Sequence, residues 1–113
     1  MADLPEETVT TVFSLQRRLL NIINESTRLA LMIFEAFGET DETLPELEEL
    51  QNIQEKATLY YIRLYRLLLQ NFESQPQATS ATLELLAQAI AQTQAVADAG
   101  GASNREIRQN WNL

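Results

Sequence analysis

The stretch EETVTTVFSLQRRLLNIINESTRLALMIFEAFG, residues 6–38, contains no proline and reaches its first glycine only at Gly38. Its apolar side chains recur three and four residues apart, the spacing that places them on one face of an α-helix. Pro5, two residues after the N-cap residue Asp3, lies in the first turn of this helix, and Gly38 ends it as a C-terminal cap. The sequence therefore predicts a first helix over about residues 4–37. The main apolar series is Val12, Leu15, Leu19, Ile22, Ser26, Leu29, Ile33 and Ala36, and a second series beside it is Val9, Phe13, Leu20, Ile23, Ala30, Phe34 and Phe37.

The other prolines and glycines divide the rest of the chain in the same way. Pro45 begins a second series with this spacing, Pro76 separates it from a third, and Gly100 follows the third. These patterns predict helices over about residues 44–73 and 80–98. No segment alternates apolar and polar residues as a half-buried strand would. The predicted fold class is all-α, with a long antiparallel helical hairpin and a shorter third helix.

Residues 1–100 are expected to form one helical-bundle domain, and residues 101–113 a tail hinged at the two adjacent glycines. Ser103 and Glu106 have the spacing of a capping box, so the tail can begin a short helix. Two interpretations of the tail stay open. It docks into a groove of a partner protein, or it docks on its own bundle or is disordered. The residues assigned to tail recognition are Arg105, Ile107, Arg108 and Trp111.

Unequal helix lengths would leave part of the hairpin uncovered. At 1.5 Å per residue the first two helices span roughly 50 and 45 Å, and the third only about 30 Å. We therefore expect a second copy of the chain to complete the bundle by dimerisation; the alternative is that the third helix and the tail cover the hairpin. Tyr is enriched at protein contacts, so Tyr65 joins the apolar candidates. The predicted protein interface is Leu31, Met32, Ile62, Tyr65 and Leu69.

The composition excludes several kinds of chemistry. The 113 residues include no cysteine and no histidine, so Ser-His and Cys-His nucleophiles and the usual zinc ligands are missing. We predict no catalysis, no metal and no cofactor. The formal net charge of −8 disfavours binding to nucleic acid or to anionic membranes. The longest uncharged apolar run is too short to span a membrane, and the acidic N-terminus does not resemble a signal peptide, so a cytoplasmic location is expected.

Basic residues are predicted to collect at one level of the hairpin. If the hairpin turns near residue 40, four arginines from its two helices lie side by side and repel one another unless an anion or a partner neutralises them. The alternative is that they are ordinary solvated arginines with stems along apolar surface. The same register pairs Glu25 with Lys56. The candidate contact to an anion or partner is Arg17, Arg18, Arg63 and Arg66.

Acidic residues collect around the predicted turn. Half of the sixteen fall between residues 35 and 55, with no basic residue among them. They form a candidate acidic surface whose carboxylates imitate phosphates, or they stabilise the N-terminus of the second helix through its dipole. The residues of this acidic surface are Glu39, Asp41, Glu42, Glu46, Glu48 and Glu49.

Excess apolar helix surface, clustered tyrosines and segregated charge are typical of a protein that binds other proteins. The sequence therefore predicts a non-enzymatic interaction module, such as an adaptor, a small regulator or an assembly factor. Its expected partners are proteins, including a second copy of the chain, without direct contact to nucleic acid. Two alternatives stay open: an acidic mimic that inhibits a basic nucleic-acid-binding protein, and a helical bundle that binds a small ligand or an anion.

Overall fold

A computed structural model describes residues 5–73 and 79–113 of the chain. Within these ranges the chain is all-α, as predicted, with α1 at Glu6–Phe37, α2 at Leu44–Glu73 and α3 at Ser80–Asn110. The predicted cap at Asp3 and the break at Pro76 lie outside the described residues. None of the described helices combines the length and the apolarity that crossing a lipid bilayer requires.

The three helices lie side by side in a bundle of 57 × 18 × 16 Å. The Thr27 hydroxyl donates to Oε1 of Gln54 at 3.3 Å, and these two residues are equidistant from the turn at 38–43. That contact places α2 antiparallel to α1. The Arg18 guanidinium on α1 pairs with Asp98 on α3 at 2.8 Å. Arg108, ten residues beyond Asp98, pairs with a residue of α1 that is seven beyond Arg18, so α3 runs parallel to α1.

Each helix contributes one stripe of residues to the core. The stripes of α1 and α2 are mostly Leu and Ile, whereas α3 contributes many small residues, including Ala89, Thr93 and Ala97. Small side chains let the axis of α3 lie close to the seam between the other two helices. The buried apolar residues are Val12, Leu15, Leu19, Ile22, Leu29, Ile33, Leu50, Ile53, Ala57, Leu64, Leu68, Leu86, Ala89, Ala97 and Ile107.

The third helix does not end before Gly100, and that prediction is wrong. Instead of a hinged tail, α3 continues through Gly100 and Gly101 and has 31 residues, against 32 in α1. A Cβ built on Gly100 would lie 3.4 Å from Cγ2 of Ile22 and 3.6 Å from Cγ2 of Ile53. Close packing in this seam therefore offsets the roughly 1 kcal/mol that a glycine costs in a helix interior. Because α3 is nearly as long as α1, unequal helix length does not argue for dimerisation.

A buried polar contact fixes the position of α3 along α1. Asn104 is completely buried, and its Nδ2 donates to Oγ of Ser26 at 3.1 Å and to the carbonyl oxygen of Ile22 at 3.4 Å. The Ser26 hydroxyl lies 2.8 Å from the same carbonyl oxygen. Sliding α3 by one turn would leave these groups buried without partners, which is costly in an apolar interior.

Replacing Asn104 with alanine is expected to lower the free energy of unfolding by about 2 kcal/mol, because Ser26 loses a buried partner and a gap remains beside it. Urea titration followed by circular dichroism measures the change. Asn110→Ala is the matched control, since Asn110 is exposed in the last turn of α3. Equal stability of the two variants would contradict the buried contact.

Candidate interaction surfaces

The four arginines predicted to form one site lie on three different sides of the bundle. Arg18 pairs with Asp98 between α1 and α3. Arg63 and Arg66 line a groove between α2 and α3. Arg17 lines a shallow depression between α1 and α2. The structure therefore does not bring these four side chains together, although Arg63 and Arg66 remain neighbours.

The groove between α2 and α3, called here the α2/α3 groove, has a volume of about 590 Å³. The Arg63 guanidinium donates to Oε1 of Gln92 at 3.0 Å and lies 5.9 Å from the ring centre of Tyr60. These contacts hold Arg63 across the groove, from α2 to α3. The lining is Leu59, Tyr60, Ile62, Arg63, Arg66, Leu67, Gln70, Leu85, Gln88, Ala89 and Gln92.

The five predicted interface residues are all exposed, but the structure separates them. Ile62 lines the α2/α3 groove. Met32 lies on the flank of α1 that faces α3, because it follows Glu25 by two turns and Glu25 pairs with Arg108 of α3. The remaining three lie on the other flank of the hairpin: Leu31, Tyr65 and Leu69.

Exposed apolar side chains recur along that flank on both α1 and α2. The Thr27–Gln54 hydrogen bond lies on it, and Leu20 and Tyr61 line one depression there. Residues three, four or seven positions from one of these residues share its face of the helix, and the same spacing extends the face further along each helix. The exposed members of this surface, called here the α1/α2 face, are Phe13, Leu20, Leu31, Phe34, Tyr65, Leu69 and Phe72.

The C-terminal segment docks on its own bundle, which is one of the two interpretations that the sequence left open. Ile107 is buried in the core. The ring centre of Trp111 lies 5.2 Å from that of Phe37, and its Nε1 donates to Oε2 of Glu46 at 3.2 Å. In the described chain, therefore, Ile107 and Trp111 are occupied by contacts within the molecule.

The two arginines of this segment differ in their contacts. Nη2 of Arg108 lies 2.9 Å from Oε1 of Glu25, so Glu25 pairs with α3 and not with Lys56 as the sequence predicted. Arg105 is exposed, with its guanidinium over Gly101. Within residues 5–73 and 79–113, Arg105 alone of the four tail candidates makes no hydrogen bond, ion pair or core contact with another helix.

The acidic surface is divided between the turn and the start of α2. Glu46 is half-buried by its contact with Trp111, and the other five residues are exposed. No three carboxylates in residues 5–73 and 79–113 lie close enough together to hold a metal ion. The exposed carboxylates are Glu39, Asp41, Glu42, Glu48 and Glu49.

Several exposed apolar residues were not among the predicted interface residues. Phe13, Leu20 and Phe34 belong to the second apolar series of α1, so the sequence contained their signal. That series looked like a broad core stripe because nothing in the sequence shows which side α3 occupies. Leu59 and Leu85 have no comparable series around them, and the structure alone reveals them at the α2/α3 groove.

Comparisons with known proteins identify no relative of the chain. No family model, no curated protein and no solved structure matches the chain. The case for a function therefore rests on the α1/α2 face and the α2/α3 groove.

Proposed function

We propose that this protein is a non-enzymatic protein–protein interaction module that forms a homodimer through the α1/α2 face. The observation that supports this proposal is the exposure of its seven large side chains, which ranges from 44 to 58%. Large apolar side chains collected on one exposed face are typical of surfaces that bind another protein. Burying them would contribute roughly 25 cal/mol for each Å² removed from water.

Charges on α1, at the edge of the α1/α2 face, favour a second copy as the occupant. Arg17 and Glu35 are about five turns apart on this edge. Arg17 therefore lies toward one end of the face, and Glu35 toward the other.

Two copies that pack antiparallel would place Arg17 of each beside Glu35 of the other. Such an arrangement is a closed two-fold dimer, in which the same surface of both copies is used. A parallel arrangement would leave Arg17 of one copy and Glu35 of the other at opposite ends of the interface, without this pairing. The charge pattern therefore favours the antiparallel homodimer.

The size of the α1/α2 face fits a reversible dimer. From Phe13 to Phe34 the face is about 32 Å long, and two helices are roughly 20 Å wide. The resulting area, about 600 Å² on each copy, is at the lower limit of standard-size specific interfaces. We therefore expect a dimer that dissociates in the micromolar range, as suits an adaptor or a regulator that exchanges partners.

Sedimentation equilibrium of the full chain tests this assembly. We expect a monomer–dimer equilibrium whose dissociation constant rises about tenfold between low and high salt, because exposed charges at the edges are screened. A chain that stays monomeric at high concentration would contradict the proposal. A dimer that strengthens with salt would contradict the antiparallel charge pairing.

A further inference from the structure

The α2/α3 groove is a second exposed surface, on the flank of α2 that faces α3. Its volume of about 590 Å³ lies within the ~300–1,000 Å³ that small-molecule sites commonly have. Leu67 and Ala89 form its deeper part, since Ala89 is buried and Leu67 half-buried. Leu59 and Leu85 line it with side chains that are 63 and 50% exposed. The groove therefore offers apolar surface that a ligand would shield from water.

Positive charge distinguishes this groove from the rest of an acidic chain. Its lining contains Arg63 and Arg66 and no carboxylate. Within residues 5–73 and 79–113 the ion pairs involve other arginines, Arg18 and Arg108. Two guanidinium groups in one groove attract an anion, and the planar fork of arginine suits a carboxylate or a phosphate.

One of the two guanidinium groups is already held in place. The hydrogen bond to Gln92 and the contact with the Tyr60 ring restrict Arg63 to the groove. A side chain that is restricted before binding loses less conformational entropy when a ligand arrives. Gln88 adds a carboxamide to the same lining.

We propose that the α2/α3 groove binds a small amphiphile with one anionic head group. The head group lies between Arg63 and Arg66, and the apolar body covers Leu67 and Leu85. This ligand class combines the two properties of the groove, an apolar lining and an uncompensated pair of cations. The proposal goes beyond dimer formation, because it uses the other flank of α2.

An acidic protein surface or peptide fits the groove less well. Glu84 lies beside it, in an adjoining depression that shares Leu85 and Gln88. A partner that extends over this end would bring its own carboxylates close to Glu84 and be repelled. A peptide helix is also about 10 Å across with its side chains, so it would rest on the rims and leave the deeper part of the groove unfilled.

Titration of the full chain with decanoate below its micelle concentration tests the proposal. Two-dimensional NMR is expected to show shifts at Gln88, Gln92 and the Tyr60 ring. Decan-1-ol and decyltrimethylammonium, which match the chain length without the negative charge, are expected to bind at least about tenfold more weakly, since a hydrogen bond to a charged group contributes ~1.5–3 kcal/mol. Equal binding of decan-1-ol would overturn the role of the arginines.

Arg66→Gln and Arg63→Gln are expected to weaken decanoate binding about tenfold each. Arg105→Gln is the matched control, because Arg105 is exposed on α3 outside the groove, and this variant should bind decanoate as the wild type does. Circular dichroism verifies that each variant folds; if one does not, the other carries the test. Three outcomes would overturn the proposal: binding of neither decanoate nor decyl phosphate, equal weakening in Arg105→Gln, or shifts confined to the α1/α2 face.

Two further arms separate this proposal from others. Decyl phosphate is compared with decanoate to identify the preferred head group, and binding of either at Arg63 and Arg66 supports the site. Leu20→Glu, which is directed at the α1/α2 face, should retain decanoate binding even where it abolishes the dimer. An acidic helical peptide that binds these residues while decanoate does not would overturn the small-ligand proposal.

Discussion

Leu20→Glu is expected to convert the proposed dimer into a monomer by raising its dissociation constant by a factor on the order of 100 or more. Leu20 lies on the α1/α2 face, in a depression that Phe13 and Tyr61 also line. In the antiparallel dimer that pairs Arg17 with Glu35, Leu20 of each copy meets the level of Leu31 of the other, so each dimer would bury two new carboxylates against apolar side chains. Desolvation of these carboxylates opposes that arrangement.

Sedimentation equilibrium of the variant beside the wild type measures the effect. Leu59→Glu is the matched control: it is the same substitution on a more exposed leucine, on the α2/α3 side of the bundle. Since both leucines are about half exposed or more, circular dichroism should show both variants folded. A dimer that survives Leu20→Glu, or that Leu59→Glu dissociates to the same extent, would show that the α1/α2 face is not the interface.

The limits of the first two helices follow from local features of the sequence. Gly38 lies after the last turn of α1, with a positive φ of 73° and its N–H bonded to the Phe34 carbonyl oxygen at 2.8 Å. The apolar spacing on either side of Gly38 predicts the limits of the two helices without reference to distant residues. A turn near residue 40 also predicts which levels of the two helices meet, and the Thr27–Gln54 contact agrees with that register.

The side of the bundle on which a residue lies could not be predicted in the same way. A register rule gives the height of Arg17, Arg18 and Arg63 along the hairpin but not their direction around it. Direction depends on where α3 packs, and α3 takes Arg18 to Asp98 and Glu25 to its own flank. The predicted arginine cluster and the predicted Glu25–Lys56 pair are therefore wrong, because the pattern of two helices does not show on which side of the bundle each residue lies.

The end of the third helix was mispredicted for a different reason. Two adjacent glycines are strong helix breakers by intrinsic propensity, and the sequence offers no local compensation. Compensation comes from contacts made far away along the chain: Gly100 against Ile22 and Ile53, and Asn104 against Ser26. Propensity is a weak signal wherever tertiary packing decides the conformation.

The substitution Gly101→Pro tests most directly whether α3 is continuous at residue 101 or the chain has a flexible hinge there. In a helix interior, proline removes one backbone hydrogen bond and clashes with the preceding turn, at a cost of about 3 kcal/mol or more. Beyond residue 101, α3 has two buried residues, Asn104 and Ile107, fewer than in the part of the helix before it. We therefore expect this segment of the variant to detach before the rest of the bundle unfolds. Trp111 is the single tryptophan of the chain, so its emission should shift to longer wavelength as it leaves Phe37.

Gly101→Ala is expected to change the stability of the protein in the opposite direction at the same position. A Cβ built there meets only the end of the flexible Arg105 side chain, at 3.6 Å, so nothing offsets the gain in helix propensity. We expect the free energy of unfolding to rise by about 1 kcal/mol, with unchanged Trp111 emission. A flexible hinge would tolerate proline at this position and gain nothing from alanine. Opposite effects of the two substitutions therefore require that residue 101 is helical, and that the C-terminal segment is part of the bundle.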